Sequence, residues 1–100
     1  MKKHNIKIFY EAEKDLDEIV DYLATLSEHA ALKYYDLIVE KIGFLTTMPE
    51  RCPLVKDVQL RLRGYRALMI ENYTIFYVVN GGTVEIRRIL FSSRQYESLL

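Results

Sequence analysis

The chain has 100 residues, of which half are apolar and 28% are charged, and its formal net charge is zero. This length predicts a single domain, residues 1–100, with one modest core, and the composition is typical of a soluble globular protein. A single cysteine, Cys52, excludes an internal disulfide, and the sequence has no signal peptide and no apolar run of membrane-spanning length. We therefore expect a cytoplasmic protein without membrane contact.

The net charge of zero is the sum of an acidic first half and a basic second half of the chain. Residues 1–50 carry six lysines and ten acidic residues, whereas residues 51–100 carry eight basic and four acidic residues. All seven arginines lie between Arg51 and Arg94. This distribution allows a local anion site in the second half, although a neutral total argues against a large nucleic-acid surface.

The first half of the chain predicts a strand followed by two helices. The alternation in "NIKIFY" predicts a short strand over residues 5–10, with Ile6, Ile8 and Tyr10 on its better-buried face. Helical spacing predicts a first helix over residues 11–26, with its acidic residues solvated, and Ser27 as the N-cap of a second helix that ends before Pro49. The apolar faces of these helices are predicted at Leu16, Ile19, Val20 and Leu23, and at Ala31, Tyr35, Ile38, Ile42 and Leu45.

The second half predicts a loop over residues 50–64 and then three strands over residues 65–70, 73–79 and 84–91. Two tight turns, at residues 71–72 and 80–82, make these strands an antiparallel meander. Helices grouped before a meander give an α+β fold with the helices packed on one sheet face. Tyrosine is enriched in strands, where its large ring packs against the core, so we expect Tyr65, Tyr73 and Tyr77 to be buried.

The order of these elements resembles the RelE/ParE toxin family of type II toxin–antitoxin systems. The resemblance is carried by "DLDEIVDYL" on the first helix, "MPERCPLVKD" after the second, "GYRALMIENYTIFYVV", and the closing "IRRILFSSRQYESLL". It implies a small stable toxin neutralised by a cognate antitoxin, in a complex that can be of higher order. Some family members resemble ribosome-dependent mRNA endoribonucleases and others, the ParE-like ones, inhibit DNA gyrase, and a shared fold does not choose between these targets.

Residues matched to the ribonucleases of the family are sparse. Metal-independent RNA cleavage needs a base, an acid and cations around the phosphate. The resemblance leaves Arg66 and Arg94 as phosphate-binding residues and Tyr96 as a proton donor. Family ribonucleases commonly place basic or histidine residues where this chain has Leu68, Thr74, Phe91 and Ser92. These departures favour gyrase inhibition, with an mRNA endoribonuclease or an inactive antitoxin-binding protein as the alternatives.

Several arginines are also candidates for partner binding. Arg61, Arg63 and Arg66 cluster at the start of the first meander strand, and arginine favours planar, bidentate recognition of carboxylates or phosphates. Arg87 and Arg88 are neighbours on a strand and should point to opposite faces, with one of them solvated. The alternative for Arg61, Arg63 and Arg66 is pairing with carboxylates of the acidic helices, and the less solvated of Arg87 and Arg88 would approach the helices or the open face of the sheet. We expect no metal and no cofactor, because His4, His29 and Cys52 have no ligand spacing and no phosphate-binding glycine loop occurs.

Overall fold

The computed structural model describes residues 3–93 and 96–100. Its elements confirm the predicted α+β order of a strand, two helices and a three-stranded meander. In chain order they are β1 (Asn5–Ile8), α1 (Tyr10–Leu26), α2 (Glu28–Phe44), α3 (Val58–Leu62), β2 (Tyr65–Ile70), β3 (Tyr73–Asn80) and β4 (Thr83–Phe91). No helix in the described part of the chain has the length and apolarity needed to cross a bilayer.

The four strands form one mixed sheet in the order β1-β4-β3-β2. Strands β2, β3 and β4 pair antiparallel through the two predicted turns, whereas β1 lies parallel to β4. Strand β1 is shorter than predicted, because the chain turns into α1 at Tyr10, which is 73% exposed rather than buried on a strand face. Because β1 and β2 stand at the two ends of the strand order, they are the outer strands of the sheet.

Side-chain caps set the starts of two helices. Ser27 accepts a hydrogen bond from the main-chain N–H of Ala30 at 3.2 Å, which confirms the predicted N-cap of α2. Asp57 accepts one from the N–H of Leu60 at 3.0 Å and begins α3. The prediction of a continuous loop over residues 50–64 was therefore wrong. Helix α3 spans five residues, too few for helical periodicity to stand out.

Apolar side chains form a separate core on each face of the sheet. The larger core lies between the α1–α2 hairpin and the sheet, and includes Leu16, Ile38, Ile75, Tyr77 and Ile86. The predicted burial of all three strand tyrosines is confirmed, since Tyr65, Tyr73 and Tyr77 are each at most 3% exposed. Tyr35 was wrongly predicted to face the core: it is 44% exposed.

The second core occupies the opposite face of the sheet, which we call the second face. It contains Val55, Leu60, Tyr65, Phe76 and Leu90. Helix α3 supplies Leu60, and the end of the chain folds back so that Tyr96, Leu99 and Leu100 pack against this cluster. Both faces of the sheet are thus covered, one by helices and one by short segments.

A β-bulge interrupts the pairing of β3 with β4. The register passes from Tyr77 opposite Ile86 to Phe76 opposite Arg88, which leaves Arg87 as the additional residue. Because of this extra residue, Ile86 and Ile89 both contribute to the larger core although they are three positions apart. The bulge also sends the side chains of Arg87 and Arg88 to different partners.

Candidate functional site

Arg66 on β2 holds the segment that follows α2. Its Nη1 donates to the main-chain carbonyl oxygen of Cys52 at 2.6 Å and more weakly to that of Glu50 at 3.4 Å. On the neighbouring strand, the hydroxyl of Tyr77 donates to the carbonyl oxygen of Pro49 at 2.7 Å. Burial raises the pKa of Tyr77, so this hydroxyl stays protonated and keeps its donor role. The two strands therefore fix residues 49–52 through three carbonyl groups.

Tyr96 is placed by aromatic packing on the second face. Its ring lies 4.6 Å from that of Phe76, with an angle of 36° between the ring planes. Burial, followed by the negative charges of Glu97 and Asp57, raises the pKa of the Tyr96 hydroxyl. Arg94, the third residue matched to the ribonucleases, lies outside the described residues. Among the residues described, Arg66 has a structural partner, and Tyr96 is a weaker acid than a free tyrosine with less phenolate present at neutral pH.

A groove of about 300 Å³ opens beside Tyr96 on the second face. We call it the second-face groove. Most of its lining is apolar, and Lys56 is the one charged residue among the described residues that line it. The Thr74 and Ser92 hydroxyls, 2.9 Å apart, hydrogen-bond to each other at its floor and are thereby already partnered. Its lining residues are Pro53, Leu54, Val55, Lys56, Ala67, Met69, Thr74, Phe76, Phe91, Ser92 and Tyr96.

Arg88 forms the most extensive ion pair of the described chain. Its Nε and Nη2 donate to the two carboxylate oxygens of Asp15 at 2.7 and 2.9 Å, and Asp15 also accepts from the N–H of Ile89 at 2.9 Å. The remaining nitrogen, Nη1, donates to the carbonyl oxygen of Leu99 at 3.0 Å. The hydrogen bond to Asp15 raises the pKa of Arg88. Arg88 thereby ties α1, β4 and the C-terminal segment together.

The prediction that all acidic residues of α1 are solvated was wrong for Asp15, which is 8% exposed. Its position among other acids in the sequence gives no sign of this burial. Asp15 lies next to Leu16 on the side of α1 that meets the sheet, and only the tertiary contact with Arg88 distinguishes it.

Arg87 is enclosed by aromatic rings and one carboxylate. Its guanidinium carbon lies 4.4 Å from the ring centroid of Phe9, and Nη1 donates to the Tyr65 hydroxyl at 3.3 Å. Glu85 accepts from Nη2 at 2.7 Å. The side chains of Arg87 and Arg88 are 27% and 20% exposed, so neither is the solvated arginine that strand alternation predicted. The bulge accounts for this difference, because it breaks the simple alternation of side chains.

Arg61 and Arg63 lie at the end of α3 and are exposed. The guanidinium of Arg63 is 5.3 Å from the ring centroid of Tyr65, and the salt bridges found between described residues involve neither arginine. They remain candidates for partner binding. The predicted arginines thus occupy three environments: Arg66 bonds the loop, Arg87 and Arg88 bond within the sheet region, and Arg61 and Arg63 face solvent.

These groups do not converge on a catalytic arrangement in the described chain. No cluster of three or more His, Cys, Asp or Glu side chains suited to a metal ion occurs within residues 3–93 and 96–100. Sequence reasoning did not identify Lys56 as a candidate site residue, because its position at the second-face groove depends on the path of the loop before α3.

Comparison with known proteins identifies the family. The model for the "ParE toxin of type II toxin-antitoxin system, parDE" matches residues 6–96. A solved chain of a chromosomal ParDE system from P. aeruginosa is 26% identical, with a TM-score of 0.76 over 91% of this chain and 98% of that one. A chain of the RelBE2 toxin–antitoxin complex from Mycobacterium tuberculosis is similar in fold, with a TM-score of 0.59, 17% identity and coverage of 89% and 98%. No curated protein sequence matches the chain significantly. The match over residues 6–96 means that this chain belongs to the ParE toxin family of type II toxin–antitoxin systems.

Proposed function

We propose that this toxin arrests growth by inhibiting DNA gyrase and that it does not cleave mRNA. Family membership supports the coarser part of this statement, a toxin neutralised by a cognate antitoxin. The choice of gyrase rests on the chemistry of the residues that a ribonuclease of this fold would use.

The bonding of Arg66 is the observation that carries the proposal. A guanidinium that stabilises a phosphate in the transition state must offer its N–H groups to that phosphate. Nη1 of Arg66 instead donates to the carbonyl oxygens of Glu50 and Cys52. With Nη1 held on the loop after α2, only the N–H groups on Nε and Nη2 of Arg66 could be offered to a phosphate.

The properties of Tyr96 support the same conclusion. A general acid or base is most effective when its pKa lies near the working pH. The pKa of Tyr96 is raised above its ordinary value of 10.0, which moves it further from neutrality. Among the described residues, the lining of the adjoining groove is mostly apolar and includes one cation, Lys56, a poor match for a polyanionic substrate.

Two assays, one on the purified chain and one in cells that express it, test the proposal. Gyrase would be given relaxed plasmid and ATP with increasing toxin, and 5′ ends of a heavily translated mRNA would be mapped by primer extension after expression in cells. We expect a dose-dependent loss of supercoiling and no new 5′ ends. Toxin saturated with its antitoxin is the control and should leave supercoiling intact.

Other outcomes identify the alternatives. New 5′ ends within the reading frame that disappear when translation initiation is blocked would establish a ribosome-dependent endoribonuclease and overturn the proposal. Unchanged supercoiling, unchanged mRNA and normal growth would instead leave an inactive antitoxin-binding protein.

A further inference from the structure

A hollow of about 150 Å³ opens between α1, the start of β3 and the end of β4. We call it the tyrosine hollow. Helix α1 contributes Asp15, Glu18 and Tyr22 to its lining, the strands contribute Tyr73 and Phe91, and aliphatic side chains of α1 and β4 complete it. A cavity of this size accommodates a molecule as large as benzene. The tyrosine hollow can therefore receive one planar group of a ligand or of a partner's side chain.

Aromatic rings cluster at the tyrosine hollow. The ring centroid of Tyr73 lies 4.8 Å from that of Phe91 and 5.7 Å from that of Tyr34, the second pair meeting edge to face. Aromatic rings carry negative charge on their faces and attract cations. One such contact already exists in this cluster, because Nζ of Lys33 lies 5.8 Å from the ring centroid of Tyr34. Lys33 does not line the hollow, so Tyr22, which is 56% exposed, remains available to a second cation.

The charged residues that line the tyrosine hollow in the described chain are both acidic. Asp15 is already paired with Arg88. Glu18 is exposed, and neither salt bridge found between described residues includes it. The second-face groove differs, because its lining carries the cation Lys56. Within the described chain, the tyrosine hollow thus presents one carboxylate without a counter-charge beside a cluster of aromatic rings.

The hydroxyl of Tyr73 is an unused hydrogen-bonding group at this hollow. Tyr73 is 3% exposed, and its hydroxyl makes no hydrogen bond to any described residue. Burial, followed by the neighbouring Tyr34 and Tyr22, raises the pKa of Tyr73, so the hydroxyl stays neutral and its oxygen can accept a hydrogen bond. Buried polar groups in folded proteins normally have a partner. The absence of one among the described residues points to a ligand that carries N–H donors.

We propose that the tyrosine hollow binds the guanidinium group of an arginine side chain carried by the protein target of the toxin. A guanidinium is planar, stacks on aromatic rings and is weakly hydrated, so it suits the ring of Tyr22. Its N–H groups would donate to the carboxylate of Glu18 and to the hydroxyl of Tyr73. An acidic hollow repels nucleic acid, which favours a protein as the partner. The choice of gyrase as the source of the arginine rests on the proposed function, whereas guanidinium binding itself does not.

Two small probes of nearly equal shape test the site itself. Butylguanidinium carries the head group and charge of arginine, and butylurea has almost the same shape without the charge. NMR titration of the isotope-labelled chain would give both affinities from the signals of Tyr22 and Glu18, with Tyr35 as the control because it lines another acidic hollow. We expect butylguanidinium to bind at least about fivefold more tightly than butylurea. Equal affinities, or shifts at Tyr35 in place of Tyr22, would overturn the inference.

Matched variants separate the ring contact from the charge contact. Tyr22→Leu removes the ring, whereas Tyr22→Phe keeps it. Glu18→Gln removes the charge, and Asp17→Asn is its control because Asp17 is an exposed neighbouring acid that does not line the tyrosine hollow. We expect Tyr22→Leu and Glu18→Gln each to weaken butylguanidinium binding about two- to fivefold and the other two variants to bind as the unchanged chain does. Equal weakening by Asp17→Asn and Glu18→Gln would show a general charge effect and refute the assignment to this hollow.

Gyrase supercoiling assays test the source of the arginine. The double variant Tyr22→Leu with Glu18→Gln, shown by thermal unfolding to be folded, should require at least about fivefold more toxin for half inhibition, and Asp17→Asn should require no more than the unchanged chain. Full inhibition by the double variant at the unchanged concentration would exclude a gyrase arginine in this hollow. If the unchanged chain itself leaves supercoiling intact, the proposed function fails, and the probe titration alone decides whether the hollow binds a guanidinium.

Discussion

Replacing Asp15 by alanine should destabilise the fold more than any exposed substitution on α1. The carboxylate bonds two nitrogens of Arg88 and the N–H of Ile89, and its side chain is only 9% exposed. Removing it leaves a largely buried guanidinium without its counter-charge, which typically costs about 3–5 kcal/mol. Arg88 is 20% exposed and can regain some hydration, so we expect about 3 kcal/mol. In a domain of this size that lowers the melting temperature by roughly 12–24 °C.

Urea and thermal unfolding followed by circular dichroism would measure this loss. The matched control is Asp17→Ala, which removes an exposed acid from the same helix and should change the unfolding free energy by less than about 0.5 kcal/mol. A double variant, Asp15→Leu with Arg88→Met, removes both charges and should recover much of the stability lost by either single change. A loss below about 1 kcal/mol for Asp15→Ala would refute the view that this pair joins α1 to the sheet.

Three further predictions concern single contacts. Tyr77→Phe leaves the carbonyl of Pro49 without its buried donor and should cost about 1–3 kcal/mol in urea unfolding. Glu71 has a φ of 52°, so Glu71→Asn should raise the unfolding free energy by about 0.5–1 kcal/mol by calorimetry, whereas Glu71→Ala should not. The hydrogen bond from Arg87 lowers the pKa of Glu85 below its ordinary value of 4.5. The ionised carboxylate therefore stabilises the folded state at neutral pH, and this stabilisation is lost as the pH falls through the lowered pKa of the folded state. The advantage of the unchanged chain over Glu85→Gln, about 0.5–1 kcal/mol at pH 7, should therefore disappear in acid, as denaturation midpoints across that range would show.

Local sequence signals predicted most of the secondary structure because each element carries its own pattern. The strand β2 was predicted with its observed limits, since its turn residues and its alternation agree. Ser27 was identified as a cap because capping depends on residues only three positions apart. Helix α3 escaped the same reasoning, although Asp57 is a cap of the same kind, because five residues make little more than one turn.

The candidate site was much less predictable, because its contacts join residues that are distant in sequence. The partner of Arg88 lies 73 positions away on α1, and no pattern around Asp15 distinguishes it from the solvated acids. Strand alternation placed Arg87 and Arg88 on opposite faces with one of them solvated, but the bulge in the pairing of β3 with β4 interrupts that alternation. Long-range packing, rather than local propensity, determines which arginines remain available to a partner.

Arg66 illustrates how a residue can match a family pattern and yet serve another purpose. Its place on β2 matches a basic position that the resemblance implies for the ribonucleases, so the sequence predicts a phosphate contact there only if the chain cleaves RNA. In this chain the second basic position of that strand is Leu68, which packs against the larger core, so that position supplies no cation beside Arg66. The guanidinium of Arg66 instead donates hydrogen bonds to the main-chain carbonyl oxygens of Glu50 and Cys52. The family's scaffold is therefore retained while the residue matched to a phosphate contact stabilises the loop, which supports our proposal of a target other than mRNA.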